Sequence, residues 1–268
     1  MARGNFHKMH GLGNDFIIID TRTSPVEMTP ARAKALADRK TGIGCDQLIL
    51  LEPSDMATVR MRIFNQDGSE VESCGNATRC VVSLLGQDAT IETDGGKIDG
   101  AYHEDRITLQ MPPPRFDWQD IPLAFAMDSA AMPMAWDELA NPMAVNVGNP
   151  HAIFFVDDKD AIDLLHLGPQ IEHDAAFPER VNVNVASVLD GALFLRVWER
   201  GVGETRACGT GACATAVAAI RQGKVASPVA VNQAGGSLTI GWEPGGLIEM
   251  TGGATYVFMG EVDWDDFG

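Results

Sequence analysis

Two short stretches, TRACGTGACA (Thr205–Ala214) and ESCGNATRCV (Glu72–Val81), decide how this chain of 268 residues is read. Each sets a Cys-Gly pair ahead of a run of small residues with helical character, and each carries a second cysteine five or six positions on. Outward from them the match continues. Glu70 stands four before Cys74 and Glu204 four before Cys208, and strand-like runs, RMRIFN and LFLRVWER, lead through glycine-containing turns into both. Further upstream, Gly13-Asn14-Asp15-Phe16 and Gly148-Asn149-Pro150-His151 precede the two cysteines by similar distances, sixty and fifty-nine positions from Asn to Cys. The agreement of separate landmarks points to two similar lobes, each delivering one cysteine to the start of one helix.

Composition bounds the purpose. Apolar residues make up 45% of the chain, ample for a globular core. The 37 acidic against 20 basic residues give a field that repels nucleic-acid phosphates and anionic membranes, so neither is expected as a partner. No apolar run reaches the ~20 residues of a membrane span, and the opening MARGNFHKMHGLGNDF lacks a signal-peptide core. A cytoplasmic location is therefore expected, where the five cysteines stay reduced.

Apolar clusters bounded by turn residues, among them FIIID, QLILLE, VRMRIFN, RITLQM, HAIFFV, LFLRVWE and YVFMGEV, read as short strands. Helical signals are fewer: TPARAKALADR, NATRCVVSLLG, DAIDLLHLG and TGACATAVAAIRQGK, the last with Gly223 where a C-terminal cap is wanted. The mixture predicts an α+β fold without strict alternation. The proline run Pro112–Pro114 suits a crossing between lobes.

A cysteine at a helix start has a specific chemistry. The first turn offers unpaired N–H groups and the positive end of the helix dipole, which lowers a thiol pKa and attracts anions. Gly75 and Gly209 leave those N–H groups uncovered. Two such starts facing one cavity would hold a carboxylate with a sulfur on either side of the adjacent carbon. One thiolate could then remove a proton from one face while the other thiol returns one to the opposite face. Charge spreading onto the carboxylate would be stabilised by the N–H groups aimed at it. Cys45, Cys80 and Cys213 read as inert buried residues; at roughly 100° per helical residue, Cys80 and Cys213 turn away from Cys74 and Cys208. No C-x-x-C or histidine-rich spacing marks a metal site, and this chemistry requires no cofactor. On residue types alone, chemistry and inertness are evenly matched for Cys74 and Cys208.

The chain resembles the diaminopimelate epimerases through six motifs in order: KMHGLGNDFIIID, TGIGCDQLILLE, RIFNQDGSEVESCGNATRC, VGNPHAIFFV, PERVNVN and WERGVGETRACGTGACA. The resemblance implies two pseudo-symmetric lobes, each a β barrel wrapped around a central helix, with the active site in the cleft between them. The lobes would comprise residues 1–115, joined by a C-terminal strand at about 256–268, and residues 116–255. It implies interconversion of LL- and meso-diaminopimelate by Cys74 and Cys208, without a cofactor or metal, and a homodimer. Asn14, Gln47, Asn65, Asn149 and Asn182 match amides that contact substrate. Gly75 with Asn76, and Gly209 with Thr210, match the cradle for the α-carboxylate. Glu199 suits the substrate's α-ammonium and Arg200 its distal carboxylate; His151 and Glu199 are implied to adjust thiol protonation. Ala77 replaces a glycine expected in the first cysteine motif. Phe258 replaces a near-terminal tyrosine, so the implied dimer would rest on apolar contacts. The rivals are a proline or hydroxyproline racemase or a phenazine-type isomerase of the same fold, and a thiol redox or binding protein.

Overall fold

The structure is a computed structural model that describes residues 3–267. The fold is mixed α/β and mostly strands, and the chain divides into two compact units, Met1–Leu109 with Thr251–Gly268, and Gln110–Met250.

In the first unit the strand Arg3–Gly11 lies between Thr255–Asp263 on one side and Asn14–Asp20 on the other, antiparallel to both. Asn14–Asp20 then runs parallel to Gln47–Glu52, which is antiparallel to Val59–Asn65, which in turn is parallel to Ala89–Thr93. The second unit repeats this order. Pro150–Phe155 runs parallel to Asn182–Leu189, which is antiparallel to Ala192–Glu199, which is parallel to Val229–Gln233.

Parallel neighbours cannot be joined by a tight hairpin, and each parallel pair here is spanned by a helix. Helix α1 (Pro30–Ala37) and helix α2 (Gly75–Leu85) serve the first unit, and helices α3 (Leu164–Glu172) and α4 (Gly209–Arg221) the second. The start of α1 is set by Thr29, whose hydroxyl accepts the Arg32 N–H, and by Pro30 in the first turn. Left-handed Gly86 ends α2, and left-handed Gly223 follows the end of α4.

The run DAIDLLHLG does not form the single helix expected of it. A 3-10 turn covers Lys159–Ala161, and α3 begins only at Leu164, because the Asp163 carboxylate accepts the His166 N–H and fixes the helix start there.

Helices α2 and α4 are core helices. Asn76 to Val82 of α2 are buried without a break, and so are Gly211 to Ala219 of α4. The small residues of α4 leave no bulky face, as suits a helix enclosed on all sides. Beside α2 a Cβ at Gly100 would meet Val82 at 2.5 Å, so glycine there permits the helix's close approach.

Candidate active site

Both singled-out cysteines are helix N-caps. In the first unit Val59–Asn65 folds back through Glu70–Val71, the hairpin held by the Arg62–Glu70 ion pair at 2.6 Å, and the chain then enters α2 at Cys74. In the second unit Ala192–Glu199 folds back through Gly203–Thr205, held by Arg196–Glu204 at 2.8 Å, and enters α4 at Cys208. The glutamates that stand four residues before each cysteine thus make equivalent hairpin clasps.

Around α2, half-buried Cys74 has its sulfur 3.9 Å from Asn14 Oδ1, and its side chain does not cap the helix. Asn76 Nδ2 donates to the same oxygen at 3.3 Å, and Asn14 Nδ2 donates to Asp46 at 3.1 Å. Asp46 is paired with Arg39, which also holds Asp15. Burial works to raise the Asp15 pKa, yet its bonds to Arg39 and Lys8 overcome this and keep the carboxyl well below the usual range. Gln47 and Asn65, direct partners on neighbouring strands, join by Gln47 Nε2 donating to Asn65 Oδ1 at 3.0 Å. The structure therefore gathers Asn14, Cys74, Gly75 and Asn76 at the helix start and pairs Gln47 with Asn65.

Around α4, Cys208 is buried, and its backbone N–H donates to Gln233 at 2.8 Å. Its sulfur accepts the Gly211 N–H at 3.4 Å and lies 3.5 Å from the Thr210 hydroxyl. A Cβ at Gly211 would meet Asn184 at 3.2 Å, which is why glycine suits this first turn. Contrary to the helix-start expectation, the Cys208 thiol is pushed well above its ordinary pKa. Burial is the largest cause and the nearby Glu199 carboxylate the next; the bonds from Thr210 and Gly211 pull the other way without prevailing. One of the N–H groups expected to remain open is likewise taken by the sulfur. Glu199 in turn accepts the Thr205 hydroxyl hydrogen bond.

His151 is wholly buried, between two amides. Asn184 Nδ2 donates to its Nδ1 at 2.9 Å, so the proton sits on Nε2, which donates to Asn149 Oδ1 at 2.9 Å. Burial drops its pKa to about 3, with Arg200 adding to the fall, so His151 is neutral near pH 7. Asn182 accepts the Arg200 N–H at 2.9 Å and donates to the Pro150 carbonyl at 2.8 Å. Buried Glu172 braces the same turn by accepting from Trp198 Nε1 at 2.7 Å and from the Gly201 N–H at 2.8 Å. Asn149, His151, Asn182, Glu199, Arg200, Cys208, Gly209 and Thr210 thus belong to one unit, and Asn14, Gln47, Asn65, Cys74, Gly75 and Asn76 to the other.

The neutral histidine gives a stability prediction. An unfolded chain binds a proton at His151 below about pH 6.5, whereas the folded protein refuses it until about pH 3. This contribution is complete above pH 6.5 and is lost as pH falls through that window. Urea unfolding at pH 7 and pH 5 is expected to show a steeper loss of stability for the native chain than for His151→Gln; equal losses contradict it.

Sequence reading did not single out Asn184, Thr205, Asp46, Glu172 or Gln233. Among the described residues, no group of three or more His, Cys, Asp or Glu side chains could hold a metal ion. Among them, too, no helix is long and apolar enough to cross a membrane.

The sequence profile of the family described as "Diaminopimelate epimerase" matches residues 6–116 and 143–257. The diaminopimelate epimerase of Rhizorhabdus wittichii is 66% identical over 265 residues, covering 98% of this chain and 97% of that protein. The chain belongs to the diaminopimelate epimerase family. The family's enzymes are isomerases, and a second similar member, from Sphingopyxis alaskensis, is 64% identical over 98% of both chains. Solved structures place the family's fold in a wider group. A phenazine biosynthesis protein of Bacillus anthracis matches with a TM-score of 0.71 at 18% identity, over 98% of this chain and 99% of that one. A hydroxyproline epimerase from Agrobacterium vitis matches with a TM-score of 0.67 at 16% identity, over 97% and 92%. At such identities the likeness concerns the fold alone.

Proposed function

We propose that the chain interconverts LL-2,6-diaminopimelate and meso-diaminopimelate by proton exchange between two thiols, in the synthesis of lysine and peptidoglycan precursors in the cytoplasm. The reading is supported above all by the two cysteines serving as N-caps of equivalent core helices, each after an equivalent clasped hairpin. It requires both sulfurs to reach one α-carbon from opposite faces, as in a cleft between two barrel-like lobes.

In this reading Gly75, Asn76, Gly209 and Thr210 hold the α-carboxylate, and the charge that appears when the α-proton leaves spreads onto oxygens they already face. Glu199 takes the α-ammonium and Arg200 the distal carboxylate. Asn14, Gln47, Asn65, Asn149 and Asn182 position the rest of the substrate. Glu199 keeps Cys208 a thiol until a substrate ammonium offsets its charge. His151, being neutral, acts on the site through its bonds to Asn149 and Asn184 rather than as a cation.

Reduced protein given LL-diaminopimelate is expected to form the meso epimer until both are present, and to leave L-proline and trans-4-hydroxy-L-proline unchanged. Turnover of either proline compound with none of diaminopimelate would refute the assignment in favour of a racemase.

A homodimer is proposed as well. Tyr256, Val257, Phe258 and Met259 are consecutive, apolar and exposed, 47–58% for the last three. They form a strand surface suited to a second copy of this chain. Sedimentation velocity should give a dimer that Val257→Asp weakens; a monomeric native chain would refute it.

A further inference from the structure

We propose that Arg79 is a positioning residue for the substrate carboxylate: its buried guanidinium fixes the orientation of the Asn76 amide, and through it that of Asn14, at the start of α2. The inference rests on the proposed function, in which that helix start receives the α-carboxylate.

Arg79 is fully buried on α2, five residues after Cys74 and about one turn beyond Asn76. Its Nη2 donates to Asn76 Oδ1 at 2.6 Å, its Nη1 to the Gly75 carbonyl at 3.5 Å, and its Nε to the Gly253 carbonyl at 3.5 Å. The guanidinium therefore touches both residues of the cradle in this unit. The end of the strand Arg3–Gly11 is shaped to admit it, since a Cβ at Gly11 would lie 3.3 Å from Arg79 Nη2 and 3.2 Å from the Asn76 carbonyl.

The chemistry of the donors settles which way the amides face. A guanidinium has only donors, so the Asn76 atom against it must be the oxygen. The Asn76 NH2 is thereby turned to the other side, where it donates to Asn14 Oδ1. At the far end, Asp46 is a carboxylate that accepts from Asn14 Nδ2. A cation at one end and an anion at the other thus impose the same polarity on two consecutive amides. Without the cation, Asn76 could turn its oxygen toward the carboxylate, exchanging a donor for a repelling acceptor.

Steady-state kinetics of diaminopimelate epimerisation on a double-mutant cycle tests this, using native protein, Asn76→Ala, Arg79→Met and the double variant. Arg79→Met is expected to lower kcat/KM by ~10-fold or more, the loss falling mainly on kcat. The double variant should be no slower than Asn76→Ala alone, because Arg79 acts through Asn76. Arg79→Gln, which keeps an N–H donor, should recover part of the loss. An Arg79→Met enzyme within twofold of native, or losses that multiply in the double variant, would overturn the proposal. If Arg79→Met fails to fold by circular dichroism, Arg79→Gln and Arg79→Lys complete the same cycle with Asn76→Ala. Native protein without epimerase activity would instead overturn the functional reading on which this rests.

Discussion

Serine at either position, in Cys74→Ser or Cys208→Ser, is expected to lower epimerisation at least ~10²-fold while leaving the fold intact. A hydroxyl matches a thiol in shape; at Cys208 it can still accept the Gly211 N–H, and at Cys74, whose side chain makes no cap, it removes none, so both helix starts persist. It cannot match it as a base, because its proton is held far more tightly than a thiol's. Each variant retains one competent sulfur, which reaches only one face of the α-carbon. Residual exchange of the α-hydrogen with solvent should therefore favour one epimer, and the opposite epimer in the other variant. Circular dichroism and unfolding curves check the fold, and proton NMR in heavy water checks the exchange. Unimpaired epimerisation by either variant would remove that cysteine from the reaction.

Glu199→Gln is expected to move two properties of the site in opposite directions. The Glu199 carboxylate helps hold the Cys208 proton, both by repelling the thiolate and by hydrogen bonding to the thiol. An amide carries no charge, so the Cys208 alkylation profile should shift to lower pH, with faster modification by iodoacetamide near neutrality. The Gln amide oxygen can still accept from Thr205, the present partner of Glu199, so the hairpin should persist. Turnover, in contrast, should fall by ~10²-fold or more, because Cys208 no longer holds the proton that a thiol acid must deliver to the α-carbon and the substrate ammonium loses its counter-ion. Mass mapping of the modified peptide distinguishes Cys208 from Cys74. Slower or unchanged alkylation of Cys208 would show that Glu199 does not control that proton.

The repeat around the cysteines was readable because it lies in local sequence. Cys74 and Cys208 follow Glu70 and Glu204 at the same spacing, and the structure turns that spacing into two hairpin clasps with Arg62 and Arg196. The helices were readable where a cap and a buried run coincide, as in α2 and α4. The strand Arg3–Gly11 was not, since only Phe6, Met9 and Gly11 along it are buried and no alternation of period two results. Its pairing with Thr255–Asp263 joins residues at opposite ends of the chain, a contact that no local pattern encodes.

The same distinction separates what was legible in the site. Cys74, Asn76, Cys208 and Thr210 announce themselves by adjacency in the chain. Asp46 and Asn184 do not, because each matters only through a partner far away in sequence: Asn14 for the first and His151 for the second. The Cys208 thiol shows the limit of motif reasoning most directly. A helix start alone argues for a lowered pKa, but full burial and a carboxylate brought in from a neighbouring strand outweigh it.

The central claim is that protons are taken from one face of the α-carbon and returned from the other by different groups. It is tested most directly by incubating reduced protein with LL-diaminopimelate in heavy water and following both epimers by NMR from the earliest times. With two thiols, the base carries away the substrate's hydrogen while the acid, equilibrated with solvent, delivers deuterium. Deuterium is therefore predicted at the α-carbon of newly formed meso product while the remaining LL substrate stays unlabelled. Label entering recovered substrate and product at equal rates from the outset would contradict the account, since it would mean that a single group both removes and returns the proton.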